Sequence, residues 1–414
     1  MSTVVTTSTG DPVVRIYLGL MTVDEVADAL FYVALGWVAA RAGSPAQAAV
    51  IFASGTLPRI ALLLLGGVVG DRLGVAKVAV WSLAARLLLM VVFAALLIGQ
   101  TPGVLPLSLL AAAVGVADAV HMPAMRGVAG LLAEAGEHSR VQTLMSVASN
   151  GAIIAGTVGG GILLGLLPQL VGVIAAGLLV SALVFLVLLR RRAGGRLGVT
   201  TSAGLSARQM VQETVSTLVR DPVSRFALLL LSLSNMAATA PLFLGIPLKS
   251  VAYHWSPIVY GLSSVGISVG YIVGGSWAAR LRSSPSDDAA SPLRRPVLLM
   301  VPATGALVVL AVSNSPWLVT SACFLAGLFF APTAGMLRGA IHERTPPEAM
   351  GRVNSAIQLA IYSMIPVGEL LYGVIAGVSL TMAGLVMTAA LVVVLAWSGL
   401  AVRSGAGARV QSAG

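Results

Sequence analysis

Charge is scarce in this 414-residue chain, where only 10% of residues are Asp, Glu, Lys or Arg. Soluble domains carry about 25%, so a soluble globular protein is excluded. Cysteine is nearly absent: the lone Cys323 rules out an intramolecular disulfide and any cysteine-built metal site. The chain also lacks a His-Glu-x-x-His pair, a nucleotide-binding Gly-Lys-Ser/Thr loop and the paired aspartates of an intramembrane protease. The missing nucleotide loop argues against direct ATP drive, no enzyme activity is expected, and neither a metal nor an organic cofactor is called for.

Apolar residues are abundant. They make up 57% of the chain, and the mean hydropathy of +0.95 is that of an integral membrane protein. Runs of about 20 apolar residues are long enough to cross a bilayer. Twelve such runs fill the chain, at 15–41, 46–70, 77–99, 104–126, 140–166, 169–190, 224–248, 256–281, 294–313, 317–339, 352–378 and 381–402. The 46 glycines suit membrane helices that pack closely through small residues. The opening ten residues after Met1 contain no Lys or Arg, and the first apolar run is too long for a secretory signal, so residues 1–14 are expected to form a short tail.

A net charge of +10 could indicate a nucleic-acid partner, but the cations do not form one patch. Arg72, Lys77, Arg126, Arg140, Arg190 to Arg192, Arg280, Arg294, Arg338, Arg344 and Arg352 all fall in the even-to-odd connections or the central loop. The opposite connections are almost free of cations, with Arg41 and Lys249 as exceptions. By the positive-inside rule, both termini and the basic loops face the cytoplasm, in an inner (cytoplasmic) cell membrane. No nucleic-acid partner is expected, and the chain is expected to act as a monomer within lipid.

The longest loop separates the spans six and six. Residues 15–190 and 223–402 are the two expected six-helix bundles, 191–222 the cytoplasmic linker, and 403–414 a C-terminal tail. Within the linker, 193–206 is rich in Gly, Ser and Thr, and 207–218 has the pattern of an amphipathic helix lying on the membrane surface. The halves repeat. At a shift of 212 residues, Gly115, Arg126, Arg140, Gly156 and Gly161 fall on Gly327, Arg338, Arg352, Gly368 and Gly373. At a shift of 208, Gly66, Gly67 and Arg72 fall on Gly274, Gly275 and Arg280. A duplicated six-span unit predicts an all-α integral membrane fold of twelve transmembrane helices in two pseudo-symmetric bundles, with a site between them.

The connection after the second span reads Gly67-Val-Val-Gly70-Asp71-Arg72-Leu73-Gly74-Val75-Ala76-Lys77. Its Asp71 and Arg72 can form charge-assisted bonds at a helix end, and its glycines let two helix ends approach. This loop resembles the signature of the major facilitator superfamily, Gly-x-x-x-Asp-Arg-x-Gly followed by basic residues. Gly67, Asp71, Arg72 and Gly74 match, while Val75 and Ala76 stand where the basic pair is usual. The second-half copy keeps Arg280 but has Ala279 at the aspartate position. Nearly the whole chain is similar to the superfamily's twelve-span drug-exporter branch, which includes macrolide, tetracycline-type and siderophore exporters. Asp28 with Trp37 nine residues later, Gly43-Ser44, Leu57-Pro58, Arg86 and the stretch from Pro347 to Val353 carry that likeness. In span 5, Asn150, Gly151, Gly156, Gly159, Gly160 and Gly161 supply the export-associated small surface, but Thr157 stands where a proline is usual. The resemblance implies a proton-coupled antiporter that exports hydrophobic or amphipathic drugs or natural products by alternating access, with the Gly67, Asp71, Arg72 and Gly74 loop as a cytoplasmic latch. The same fold working as an uptake symporter, or moving a lipid-like substrate, is the alternative.

Acids inside the apolar runs are the candidate proton carriers. Asp24, Glu25 and Asp28 lie near the middle of span 1, where a charge costs roughly 2.5–3.5 kcal/mol on insertion scales. Asp24 and Asp28 share a helix face, and two ionised carboxylates so placed repel, which favours one of them holding a proton. Asp118 in span 4 lies one turn from His121, and Glu369 in span 11 faces Thr157 in the repeat register. Asp28, Asp24, Asp118 and Glu369 are therefore proton-coupling candidates, with Asp28 foremost. His121 suits either a relay or a polar helix contact. The competing structural role is a fixed ion pair between helices, such as Arg59 with Asp28 or Arg86 with Asp118. Tyr32, Trp37, Met236, Phe243 and Tyr362 are candidate lining for an adaptable apolar cavity, and Met122 and Met364 would extend it. Each of these also suits ordinary packing.

Overall fold

A bilayer offers the backbone no water to bond, so each apolar run must satisfy its own peptide groups, and a helix does this within one segment. The computed structural model describes residues 12–98, 102–132, 138–193, 221–280, 293–345 and 350–411. Among them, the first-half runs form α1 (Pro12–Ala42), α2 (Pro45–Leu73), α3 (Val75–Ile98), α4 (Val104–Leu132), α5 (His138–Leu166) and α6 (Leu170–Ala193). The second half forms α7 (Pro222–Ala252), α8 (Pro257–Arg280), α9 (Arg294–Val312), α10 (Pro316–His342), α11 (Met350–Ala376) and α12 (Leu380–Gln411). These are the twelve expected spans. The linker from 194 to 220, with its expected surface helix, the N-terminal residues 1–11 and Pro347-Glu348-Ala349 lie outside the described residues. The last helix continues to Gln411, past the expected end at 402.

Among the described residues, ten helices are long and apolar enough to cross a membrane. α1 has the length, with 31 residues, but carries Asp24, Glu25 and Asp28 in its middle. Five helices open on a proline (Pro12, Pro45, Pro222, Pro257 and Pro316), whose missing N–H is one the first turn would leave unbonded in any case. Gly74, between α2 and α3, has φ 88°, a left-handed conformation that disfavours a side chain. α7 is interrupted by a π-helical segment at Ala240–Gly245. That segment includes Pro241 and is followed closely by Pro247, neither of which can donate a backbone hydrogen bond.

The chain divides into two units. The first holds α1, α2 from Ser54 onward, and α3 to α6; the second holds α7 to α12 together with the opening of α2, Gly43–Ala53. The sequence placed all of α2 in the first bundle. Small residues account for the difference: a Cβ on Gly373 of α11 would collide with Ala49 and lie 3.0 Å from the Pro45 carbonyl.

Within each unit the repeated glycines do the same work. A Cβ on Gly115 of α4 would collide with the Gly55 carbonyl of α2, and one on Gly327 of α10 with the Ile267 carbonyl of α8. Gly156 of α5 lies against α1, where a Cβ would be 2.6 Å from the Val26 carbonyl; its counterpart Gly368 of α11 lies against Met236 of α7 in the same way. A third glycine pair stands in the same register. Gly172 of α6 meets Ala94, and Gly384 of α12 meets Ala311.

Lys249 explains its own exception to the charge rule. It is fully buried in the last turns of α7, with Nζ donating to the carbonyls of Leu310 (2.6 Å), Ala311 (2.8 Å) and Ser313 (2.8 Å). It therefore caps the C-terminal end of α9, where carbonyls have no helical partner. It is no loop cation.

Candidate functional site

Apolar residues cover the outside of the helices; Trp81, Leu88 and Val91 of α3, for example, are exposed, as suits contact with lipid. Polar residues gather on the opposite face. Arg86 of α3, one of the most deeply buried side chains, points between α1 and α4. Its guanidinium donates from Nη1 to Asp24 Oδ1 at 2.6 Å and pairs through Nη2 with Asp28. Asp118 Oδ1 of α4 lies 3.3 Å from Nε, close enough for charge pairing. That contact is not aligned as a hydrogen bond, and Nε and Oδ1 each lack a hydrogen-bond partner among the described residues. One cation thus gathers three carboxylates from two neighbouring helices.

Two further groups close the network. His121, one turn along α4 from Asp118, places Nε2 2.8 Å from Asp24 Oδ2 and Nδ1 3.0 Å from Ser82 Oγ of α3. Tyr32 donates to Asp118 Oδ2 at 2.7 Å and accepts from Arg59 Nη1 at 3.4 Å. Arg59 itself lies 3.9 Å from Asp118 Oδ2. Exposure grades across the cluster. The side chain of Arg86 is 1% exposed, Asp118 4% and Asp24 10%, whereas Asp28 is 31% exposed and Arg59 25%. The arrangement can hold a proton away from water at one end and exchange it at the other.

The cluster unites Asp24, Asp28 and Asp118 among the expected proton carriers, both expected cations, and Tyr32. The cation that takes up Asp28 is Arg86, while Arg59 reaches Asp118 and Tyr32; the expected pairing of Arg86 with Asp118 is present as one edge of a larger set. Tyr32, expected in the cavity lining, serves as a hydrogen-bonding member. Trp37 is buried near the end of α1, Met236 and Tyr362 are half-buried, and Phe243 is exposed on the π segment. Glu369 is buried on α11 of the second unit, next to the Gly368 seam. Of the signature loop, Gly74 makes the left-handed turn between α2 and α3. Gly67, Asp71 and Arg72 lie within α2, and their side chains are outside what the structure describes. α5 runs unbroken past Thr157, whose hydroxyl bonds the Ile153 carbonyl one turn back.

Sequence reading missed Ser82. Its position one turn before Arg86 is the signal that could have found it. The network has no copy in the second unit at the repeat register: Phe330 and Thr333 stand where Asp118 and His121 do. No group of three or more potential metal ligands occurs among the described residues.

Solved structures share this architecture. A variant of the nucleoside transporter NupG superposes with a TM-score of 0.74 at 12% identity, over 94% of this chain and 99% of that one. A bacterial homologue of the human lysosomal transporter Spinster, inward-facing and unoccupied, gives 0.74 at 13% identity, over 95% and 98%. The POT family transporter PepTSo gives 0.68 at 12%, over 94% and 98%. At such identities the likeness is one of fold. No curated protein matches the chain. The profile of the Major Facilitator Superfamily matches residues 18–369. With twelve helices among the described residues, a repeated packing scheme and that match across most of its length, the chain belongs to the major facilitator superfamily, a multi-pass membrane transporter and not an enzyme.

Proposed function

We propose that this transporter is a proton-coupled antiporter that moves hydrophobic or amphipathic compounds out of the cell by alternating access. One observation carries the coupling. Three carboxylates and a guanidinium are buried together in a membrane bundle, and one of the carboxylates, Asp28, is 31% exposed. Burying charge in hydrocarbon is expensive, and such residues mark proton or substrate pathways. Asp28 is the member through which protons enter and leave, and Asp24 and Asp118 hold the charge behind it. The excess of cations in one set of loops supports a cytoplasmic side for both termini.

Export of hydrophobic compounds rests on the likeness to the drug-exporter branch through Asp28, Trp37, Leu57-Pro58 and Arg86, and on Phe243, Met236 and Tyr362 as adaptable lining. Acids in a cavity suit cationic or neutral ligands. Uptake remains the second reading because of α5, where Thr157 replaces the export-associated proline and the helix runs unbroken. The three solved relatives, described as nucleoside, lysosomal and POT family transporters, are consistent with a broad range of substrates.

Proteoliposomes loaded with a fluorescent lipophilic cation provide the test. An imposed pH gradient should drive movement of the dye in exchange for protons, and Asp28→Asn should abolish the pH-driven component. Transport indifferent to the gradient, or unchanged in Asp28→Asn, would sink the coupling. In whole cells, depletion of the compound supports export and accumulation decides for uptake.

A further inference from the structure

We propose that His121 holds the exchangeable proton of the cluster, with Ser82 as the hydroxyl that lets the ring exist in two protonation states without moving. This site rests on the proton-coupled reading and names the atoms on which that reading turns.

The case is one of counting hydrogens. A serine hydroxyl has one proton to give. Ser82 Oγ lies 3.0 Å from the Ala79 carbonyl of its own helix and 3.0 Å from His121 Nδ1. When Ser82 donates to Ala79, it offers Nδ1 only a lone pair, so Nδ1 must carry a hydrogen. Nε2 faces the Asp24 carboxylate at 2.8 Å and must carry one too. In that state the ring is an imidazolium. When the hydroxyl turns to donate to Nδ1, the ring needs a hydrogen on Nε2 alone and is neutral. Loss of one proton to water is thus absorbed by rotation of a hydroxyl, and every heavy atom keeps its place.

Charge balance points to the same ring. Around His121, α1 supplies Asp24 and Asp28, α2 supplies Arg59, α3 supplies Arg86, and Asp118 lies one turn away on α4 itself. Glu25 of α1 adds a fourth carboxylate to the same field, so the carboxylates outnumber the two cations and leave excess negative charge in an apolar bundle. An imidazolium offsets part of it, and the neutral ring restores it. The other ionisable groups nearby are engaged elsewhere. Tyr17 donates to the Met125 carbonyl at 3.0 Å, Tyr32 to Asp118 at 2.7 Å, and Glu25 is hydrogen-bonded with Ser149 of α5. The cluster therefore carries one more negative charge when the ring is neutral, and that state is the one that would hold a cationic ligand or call for a proton.

Nitrogen NMR of the full chain in lipid nanodiscs tests this directly. Replacing His138, His254 and His342 with Gln leaves one labelled ring to follow. As the pH is raised across the range in which transport is measured, the expected result is a change from two protonated nitrogens to an Nε2–H tautomer. Ser82→Ala should move the pH at which this happens, and Ser82→Thr should restore it. In otherwise unmodified protein, His121→Gln should take up about one proton fewer per chain over the same range. A ring held in one state throughout, a neutral ring protonated on Nδ1, or an undiminished proton uptake in His121→Gln would overturn the proposal. Dye transport driven by a pH gradient with a His121 that does not titrate removes this site and leaves the coupling intact. A titrating His121 in a transporter indifferent to pH keeps the site and removes the coupling.

Discussion

Replacing Arg86 with Met keeps much of the side-chain volume and removes a charge that contacts all three carboxylates. Arg86 is buried and serves Asp24 at 2.6 Å, Asp118 at 3.3 Å, and Asp28. Removing one partner of a buried pair costs about 3–5 kcal/mol, because the other charge stays behind uncompensated. Here three carboxylates stay behind. His121 remains beside Asp24, and Arg59 remains 3.9 Å from Asp118. The expected loss at neutral pH is therefore about 3–5 kcal/mol. It should shrink in acid, where protonation of the freed carboxylates removes the buried charge. Reversible unfolding in mixed detergent micelles, followed at both pH values, measures the difference. Adding Asp24→Asn and Asp28→Asn to Arg86→Met should recover much of the loss, since the Asp118 that remains keeps Arg59 as its partner. A cost below about 1 kcal/mol for Arg86→Met, the size of a solvent-exposed ion pair, would mean that water reaches the cluster, and the reasoning from burial would fail.

Two further perturbations probe the second unit. Lys249→Met strands the carbonyls of Leu310, Ala311 and Ser313, at roughly 1–3 kcal/mol for each one left buried and unbonded; Lys249→Arg should not rescue it, because a planar guanidinium cannot converge on three carbonyls as an ammonium does. Thermal unfolding of both variants against the wild type checks this, and a near-neutral Lys249→Arg would contradict it. Asp221 caps α7, accepting from the Ser224 N–H at 2.7 Å and hydroxyl at 2.6 Å, so Asp221→Ala should cost about 1 kcal/mol. Partial burial works to raise the Asp221 carboxyl, but the Ser224 bonds and nearby Arg344 outweigh it and hold the group below the usual carboxylate range. A lowered folded-state value stabilises above the ordinary range and is lost as pH falls through the lowered one. Unfolding curves of wild type and Asp221→Ala should thus differ at neutral pH and converge in acid.

Depth along a helix was legible in the sequence, and rotation about its axis was not. Twelve runs of the right length fixed the number of spans, and position within a run put Asp24, Asp28, Arg59, Arg86 and Asp118 at similar depths. Which of them touch depends on how each helix is turned and how closely it approaches, and that is decided by contacts such as Gly156 on Val26 and Gly115 on Gly55. Apolar composition all round a membrane helix carries little sign of such turning, because lipid and protein interior are equally apolar. Depth alone therefore made Arg59 as good a partner for Asp28 as Arg86. Ser82 shows the same limit: a serine in a membrane helix usually bonds its own turn, as Ser82 does with Ala79, and nothing in the run from Val75 to Ile98 marks it as also facing His121. Lys249 was misread for a different reason. Its charge was visible, but the carbonyls that hold it belong to the end of α9, some sixty residues on. The repeat gave the opposite case. Its cationic matches carried the inference of duplication, yet it is the glycine pairs 115/327, 156/368 and 172/384, individually weak in a chain with 46 glycines, that have the same physical task in both units. The ionisable cluster departs from that shared scheme, since Phe330 and Thr333 take the places of Asp118 and His121. Duplication thus accounts for the scaffold, and the carboxylates gathered around Arg86 stand outside it, in the first unit.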